Sequence, residues 1–251
     1  MMTTVNGQTL TERQKGLAGC ACLMAQGNLQ QLEPAVIRAL DHGVTVNELK
    51  EAFSQLYAYT GFPRSLNALG VLSKVLEHRK SDWQEGKPWT RPSEWDNAKN
   101  AFELGTKNQT QLSGHPFNYD FCPQDDYYLK SHLFGDIFAG DQLTKADREI
   151  VTVAALSGLD GVAPQLAAHK LGAVNMGNSQ ELVDELCEWL DKEGYTLHST
   201  WPKGNPNDAY SQYFVGQSYL APMGAVANVT FEPRCRNNWH IHHKAVQVLI
   251  C

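Results

Sequence analysis

The most constraining feature of the sequence is residues 143–177, which have the pattern of two helices joined by a glycine-containing turn. Apolar side chains recur at helical spacing over residues 146–157. Pro164 suits the first turn of a second helix, where its missing N–H is not needed, and Gly177 suits a C-terminal cap. The second helix carries His169 among small apolar residues. This stretch predicts a helical hairpin with one imidazole on its packed side.

Composition places the chain among ordinary soluble globular proteins. Its 251 residues are 42% hydrophobic and 19% charged, and the net charge is −6. Dispersed Lys and Arg with an acidic balance argue against nucleic-acid binding. No apolar run approaches the roughly 20 residues that span a bilayer, so no membrane insertion is expected. The N-terminus has no basic region followed by an apolar one, which predicts a cytoplasmic protein.

Further helices are predicted on both sides of a polar stretch. Thr11 is a candidate N-cap for the first helix, and Thr45 with Glu48 forms a capping-box pattern for the third. Predicted helices lie at about residues 12–25, 30–41, 46–59, 64–78, 97–104 and 127–138. The remainder of residues 79–126 reads as a long connection.

The chain contains an internal repeat. Residues 10–43 align with residues 143–177 with a one-residue gap, and Ala35 then falls opposite His169. The second copy has nothing that corresponds to YAYTGFPRSLNAL, residues 57–69. We therefore predict two copies of one helical unit, the second of them shortened.

Three motifs resemble the carboxymuconolactone decarboxylase family, whose relatives include AhpD-type alkylhydroperoxidases: LFGDIFAGDQLTKADREIVTVAAL, HKLGAVNMG and GVTVNELKEAFSQLYAYTGFPRSLNAL. The resemblance covers roughly residues 10–80 and 125–190. It implies a mainly α fold with two AhpD-like helical repeats in tandem. It also implies self-association into a trimer or hexamer-like ring. The expected divisions are a first repeat at 1–80, a linker at 81–125, a second repeat at 126–200 and a β segment at 207–251.

That β segment resembles the first half of a small cupin barrel. VANVTFEP alternates and is rich in β-branched residues, and NNWHIHH and AVQVLIC read as two more strand pieces. His240, His242 and Gln247 match the cupin metal motif, which implies a divalent Mn, Fe, Ni or Zn ion. The second cupin motif is absent from the sequence. The alternative is that these strands pack on the helices or pair across an oligomer interface.

The cysteines argue against the peroxidase branch of the family. That branch uses a CxxC ahead of its histidine, so that one thiolate reduces peroxide and the other resolves it. The corresponding positions are Val162 and Gln165 before His169, and Asn28 and Gln31 in the first copy. AhpD-type peroxidase activity is therefore disfavoured.

The decarboxylation that the family resemblance implies requires no cofactor. The family substrate is an unsaturated lactone bearing a carboxylate, whose conjugated carbonyl takes up the electrons left by CO2. His169 is the predicted proton donor to carbon, because imidazole titrates near neutral pH. Arg148 is the predicted group for an anion of this small-molecule substrate, and Glu149 is predicted to orient His169.

Other interpretations remain open for these residues. His169 also fits a core histidine bonded to a backbone carbonyl, and Arg148 with Glu149 fits a structural salt bridge. A metal-dependent cupin-type lyase using His240, His242 and Gln247 is one alternative function. A non-catalytic helical oligomer is another.

Overall fold

A computed structural model describes residues 9–79, 83–90, 98–196, 204–223, 226–231 and 235–237. The chain divides into two units, residues 1–197 and residues 198–251. The first holds the α-helices, and the second holds the strands and a 3₁₀-helix at Asp208–Tyr213. The mainly helical fold class is thus confirmed.

The helices of the first unit are α1 (Glu12–Gln26), α2 (Leu29–Asp41), α3 (Val46–Thr60), α4 (Phe62–His78), α5 (Ala98–Ser113), α6 (Pro123–Tyr128), α7 (Lys145–Ser157), α8 (Ala163–Asn175) and α9 (Gln180–Lys192). A π-helix, Leu129–Ile137, continues directly from α6. The first four predicted helices and the hairpin α7–α8 are confirmed to within about two residues. The predicted helix at 97–104 is nine residues too short, because α5 continues to Ser113.

Side-chain caps explain where several helices begin. Thr11 and Thr45 each accept a bond from the amide three residues on, and both complete a capping box. Thr144 and Ser179 cap α7 and α9 in the same way, without the reciprocal bond. Each cap satisfies an amide that the helix itself leaves unpaired. The capping box predicted at Thr45 is confirmed.

The core is built on α1 and α7. Residues 17–25 of α1 and residues 147–156 of α7 are buried without interruption. A helix that is buried on every side belongs at the centre of a bundle. The two helices pack against each other, α2 and α3 pack on α1, and α8 and α9 pack on α7.

The two hairpins α1–α2 and α7–α8 share local features. Gly43 and Gly177 follow the second helix of each hairpin with φ of 87° and 115°. Thr45 and Ser179 then cap the next helix. The internal duplication itself stays a prediction.

Two glycines let α5 and the π-helix approach closely. A Cβ added at Gly105 would overlap the carbonyl of Lys130, and one at Gly135 would overlap the carbonyl of Ala101. Asn108 Nδ2 of α5 donates to the carbonyl of Phe134 at 2.7 Å. This bond gives a backbone carbonyl of the π-helix a hydrogen-bond partner. Much of residues 81–125, predicted as a linker, therefore consists of an ordered helix that packs against the helical unit.

The second unit contains short antiparallel strands: β1 (Asn205–Pro206), β2 (Phe214–Val215), β3 (Ser218–Met223), β4 (Val226–Phe231) and β5 (Arg236–Asn237). β1, β3 and β4 form one sheet, and β2 pairs with β5. β4 confirms the predicted strand VANVTFEP, and it pairs with β3 so that Tyr219 faces Thr230. His240, His242 and Gln247 lie outside the described residues, and the cupin resemblance stays a prediction.

Within the described residues, no helix combines the length and the apolar character that a membrane span requires.

Replacing Gly105 by Ala should destabilise the helical unit by several kcal/mol. The added methyl group would collide with the Lys130 backbone, and backbone cannot yield as a flexible side chain does. Gly70 is the matched control, because it lies inside α4 and a Cβ there meets nothing within 4 Å. Gly70→Ala should stabilise by up to about 1 kcal/mol. Urea denaturation measures both, and equal stabilities would contradict the packing described.

Candidate functional site

His169 and Glu149 form a buried pair between α8 and α7. Their relative exposures are 7% and 0%. His169 Nδ1 lies 2.7 Å from Glu149 Oε2. The structure brings these two predicted residues together, and the partner of the imidazole is a carboxylate rather than a backbone carbonyl. That Glu149 orients His169 for proton transfer stays a prediction.

This geometry assigns different tasks to the two ring nitrogens. A carboxylate only accepts, so Nδ1 carries a proton and donates it to Glu149. Nε2 is then the nitrogen left to exchange a proton with a bound molecule. The His169 side chain is 9% exposed and that of Glu149 is fully buried. The pair has the arrangement of a histidine held in one tautomer by an acidic partner.

Tyr59 of α3 is a third member of this site that the sequence did not reveal. Its ring meets the His169 ring edge-on, with centroids 5.4 Å apart. Burial, followed by the charge of Glu149, raises the pKa of the Tyr59 hydroxyl, which keeps it neutral. One sequence feature could have drawn attention to Tyr59: it lies in residues 57–69, which have no counterpart in the second copy. The structure shows α3 supplying this side chain to α7 and α8.

Three buried polar side-chain atoms on α3 and α7 have no hydrogen-bond partner. Among the described residues of the helical unit these are Tyr59 Oη, Glu149 Oε1 and Arg148 Nε. Buried polar groups are nearly always paired, and exceptions collect at functional sites or where a water or ligand binds. Their concentration on two adjacent residues of α7 and the facing Tyr59 supports this region as the site.

Arg148 lies on a different side of α7 from Glu149. It is fully buried, Nη1 donates to Gln55 Oε1 at 2.9 Å, and Nη2 donates to Gly140 O at 2.8 Å and pairs with Glu51. Successive residues on a helix point about 100° apart, so Arg148 faces α3 while Glu149 faces α8. Its predicted role as an anion-binding group is untested by this arrangement, in which Glu51 holds the guanidinium.

A cavity of about 770 Å³ lies next to Arg148. Glu51, Gln55 and Gly140, which bind the guanidinium, also line this cavity. Its walls come from α3, Trp89, α5, α6 and the π-helix: Glu51, Ser54, Gln55, Tyr57, Trp89, Ala101, Tyr127, Tyr128, Ser131, His132, Asp136, Ile137 and Gly140. His169 and Glu149 are not among these residues.

Two further histidines take different positions. His132 lines the cavity, and its Nδ1 lies 2.9 Å from Asp136 Oδ2. His115 is exposed, and its Nδ1 lies 3.1 Å from the carbonyl of Pro116. No sequence pattern assigned a function to either histidine. In particular, nothing indicated that residues 129–137, which include His132, form a π-helix.

The cysteines near the core are poorly suited to redox chemistry. Burial raises the pKa of both Cys20 and Cys22 to about 12. The Cys22 thiol donates to the carbonyl of Tyr195 at 3.1 Å. Since the thiolate is the reactive form, these two side chains are structural at neutral pH.

No metal-binding cluster occurs in the part of the chain that is described. A search of those residues found no group of three His, Cys, Asp or Glu side chains placed to hold an ion. The predicted ligands His240, His242 and Gln247 lie outside it.

The N-terminal part of the chain, which supplies α3 to this site, matches a known protein family. The model of the carboxymuconolactone decarboxylase family matches residues 1–74. No curated protein matches the chain. The matched segment contains α1, α2, α3 and most of α4, and so Glu51, Gln55 and Tyr59, but neither Glu149 nor His169. The match supports the family resemblance over that segment.

Removing the buried guanidinium should be costly. Arg148→Ala leaves Glu51 buried without its partner, so the free energy of unfolding should fall by about 3–5 kcal/mol. Arg38→Ala is the control, because Arg38 is exposed and its side chain donates to the Tyr195 hydroxyl at 3.1 Å. A change within about 0.5 kcal/mol is expected there. Chemical denaturation measures both. The double variant Arg148→Ala/Glu51→Ala should lose less than the sum of the single variants.

Cys20 and Cys22 should resist alkylation in the folded protein. With pKa values of about 12, both thiols remain protonated near pH 8 and are shielded from reagent. Iodoacetamide labelling followed by peptide mass spectrometry should modify Cys122, which is partly exposed, well before either of them. Labelling of Cys20 at the rate of Cys122 would contradict the assignment.

Proposed function

We propose that this protein is a cofactor-independent carbon–carbon lyase of the carboxymuconolactone decarboxylase type. Its substrate would be a carboxylated unsaturated lactone from the breakdown of aromatic compounds. The observation that carries the proposal is the buried His169–Glu149 pair, with Nδ1 and Oε2 2.7 Å apart. The family match over residues 1–74 adds support.

The reaction needs an electron sink and a proton. The bond between the ring carbon and the carboxylate breaks, CO2 leaves, and its bonding electrons pass into the conjugated carbonyl to form a dienolate. The protonated imidazole of His169 then delivers a proton from Nε2 to carbon. Water restores that proton for the next turnover. Transfer by a positioned imidazole contributes about 10²–10⁴ in rate.

Glu149 supports the proton transfer in two ways. Its carboxylate holds the imidazole in one orientation through Nδ1. It also balances the positive charge of the imidazolium, which a site this deeply buried would otherwise disfavour. Glu149 is thus a positioning residue in the proposed mechanism.

Tyr59 is a candidate donor to the dienolate oxygen. Its hydroxyl is buried, unpartnered and kept neutral, and its ring packs on His169. A neutral hydroxyl that is already desolvated stabilises developing negative charge more strongly than one in water. Arg148 remains the predicted group for the substrate anion, which would have to compete with Glu51 for the guanidinium.

The resemblance also supports two wider proposals. The chain would consist of two tandem units of the family, with α3 of the first completing the site of the second. It would assemble into a trimer or hexamer-like ring, as family members commonly do. Static light scattering on the purified chain tests this, and a monomer would reject the assembly.

The decarboxylation can be tested with 4-carboxymuconolactone as substrate, by following CO2 release. His169→Ala should lower kcat at least a hundredfold, because the proton donor is removed. Glu149→Gln should cause a smaller loss, because the imidazole loses the carboxylate that orients it. His78→Ala is the control, since His78 is exposed at the end of α4. Full activity in His169→Ala, or none in the unaltered protein, would reject the proposal.

A further inference from the structure

The lining of the cavity beside Arg148 includes neither His169 nor Glu149. We propose that this cavity is a binding site for a neutral hydroxylated aromatic compound. Its volume of about 770 Å³ lies within the range of pockets that enclose drug-sized ligands. That volume suits a ligand with fused or linked rings.

The walls of the cavity are suited to a flat ring. Tyr57, Trp89, Tyr127 and Tyr128 contribute aromatic side chains to the lining, and Ile137 contributes an alkyl one. Aromatic rings bind other rings through stacked or edge-on contacts worth about 0.5–1.5 kcal/mol beyond the apolar area they bury. These residues come from α3, the segment 83–90, α6 and the π-helix, so the site is formed only in the folded unit.

The wall formed by Tyr57 is held in place before any ligand arrives. Its ring stacks on Phe62 with centroids 4.1 Å apart and an interplanar angle of 7°. It also packs against the His132 ring, with centroids 5.7 Å apart. A wall fixed in this way loses little conformational freedom on binding, which favours affinity.

The inner end of the cavity is polar but already neutralised. The Glu51 carboxylate pairs with Arg148, and Gln55 accepts from the same guanidinium. In the amide orientation that satisfies its neighbours, Gln142 donates to Glu51 Oε2 at 3.1 Å and accepts from the Trp89 amide at 3.3 Å. These bonds occupy both oxygens of Glu51 and tie the Trp89 backbone to the same network.

Two polar side chains that a ligand can reach lie on the π-helix. His132 and Asp136 are bonded at 2.9 Å and keep side-chain exposures of 48% and 40%. Asp136 retains an oxygen that accepts a hydroxyl proton, and His132 retains Nε2. π-helical segments often mark functional sites, because the wider turn redirects side chains. A phenolic hydroxyl placed at this pair would be recognised as a donor.

The charges of the lining residues favour a phenol over an aromatic carboxylate as the ligand. The described lining contains two carboxylates, Glu51 and Asp136, and neither Lys nor Arg. Arg148 lies behind this lining, fully buried and engaged with Glu51. A ligand carboxylate would meet like charge at Asp136 and find its nearest cation already paired. A neutral ring that donates a hydrogen bond fits both the walls and the charges.

Calorimetric titration with 2-naphthol, 2-naphthoate and naphthalene tests the proposal on the full chain near neutral pH. The unaltered protein should bind 2-naphthol at least tenfold more tightly than 2-naphthoate. Asp136→Ala should weaken 2-naphthol about tenfold and leave naphthalene unchanged, because only the hydroxyl contact is lost. Equal or tighter binding of 2-naphthoate, or no binding of 2-naphthol, would overturn the assignment.

A large side chain introduced into the cavity tests the binding site directly. The same substitution outside the cavity is its matched control. Ser54 is an exposed residue of α3 that lines the cavity, whereas Ser73 is an exposed residue of α4 that does not. Ser54→Trp should abolish binding of 2-naphthol, Ser73→Trp should leave it intact, and circular dichroism should show both folded. Unchanged binding in Ser54→Trp would overturn the site. So would a loss of binding that accompanies a change in oligomer size by light scattering, since the cavity face would then be an interface between copies. His169→Ala should bind 2-naphthol normally, which separates this site from the proposed reaction.

Discussion

The buried bond network of Arg148 is the interaction on which the rest of the helical unit depends. A guanidinium with no solvent exposure must find its partners within the protein, and here they come from α3 and from Gly140. Gln55 Nε2 also donates to the Arg148 carbonyl at 3.2 Å and to Thr152 at 2.7 Å. The network therefore fixes α3 against α7 in one register. A buried charge tolerates few alternative arrangements, because each unpaired one costs several kcal/mol.

That register places two separate features on different faces of α7. Glu149, adjacent to Arg148 in sequence, turns toward α8 and holds His169. Arg148 turns toward α3 and holds the polar end of the aromatic cavity. Tyr59, one turn beyond Gln55 on α3, reaches the His169 side. Because α3 is shared, a change in its packing would alter the histidine site and the cavity together.

The chemistry available at the two features is different. The histidine pair is nearly enclosed and suits proton transfer in a low-dielectric setting. The cavity is open, aromatic and lined by an exposed His132–Asp136 pair, and suits recognition of a ring. The core thiols take no part in either, because burial raises the pKa of Cys20 and Cys22 to about 12.

Sequence reasoning located the helices well where the signals were local. Thr11 and Thr45 marked helix starts through capping patterns, and both patterns appear in the structure. It also anticipated the contact of Glu149 with His169, since the hairpin α7–α8 brings the facing positions of two neighbouring helices together. It was less accurate over residues 79–126, where the helix predicted at 97–104 continues to Ser113 as α5. The apolar signal there is weak, and the tight packing depends on Gly105 and Gly135, whose close approach no local pattern reveals.

The sequence by itself determined the helical class and the hairpin that carries Glu149 and His169, because caps and periodicity act within a few residues of the chain. Only the tertiary structure decided what surrounds that pair. Tyr59 lies 110 positions before His169, and the bond between Arg148 and Gln55 joins residues 93 positions apart. Contacts over such distances follow from how whole helices pack, and a single sequence carries no direct record of that packing. For the same reason, the sequence did not reveal the cavity. Its lining residues run from Glu51 to Gly140 and come together only when α3, α5 and the π-helix pack against one another.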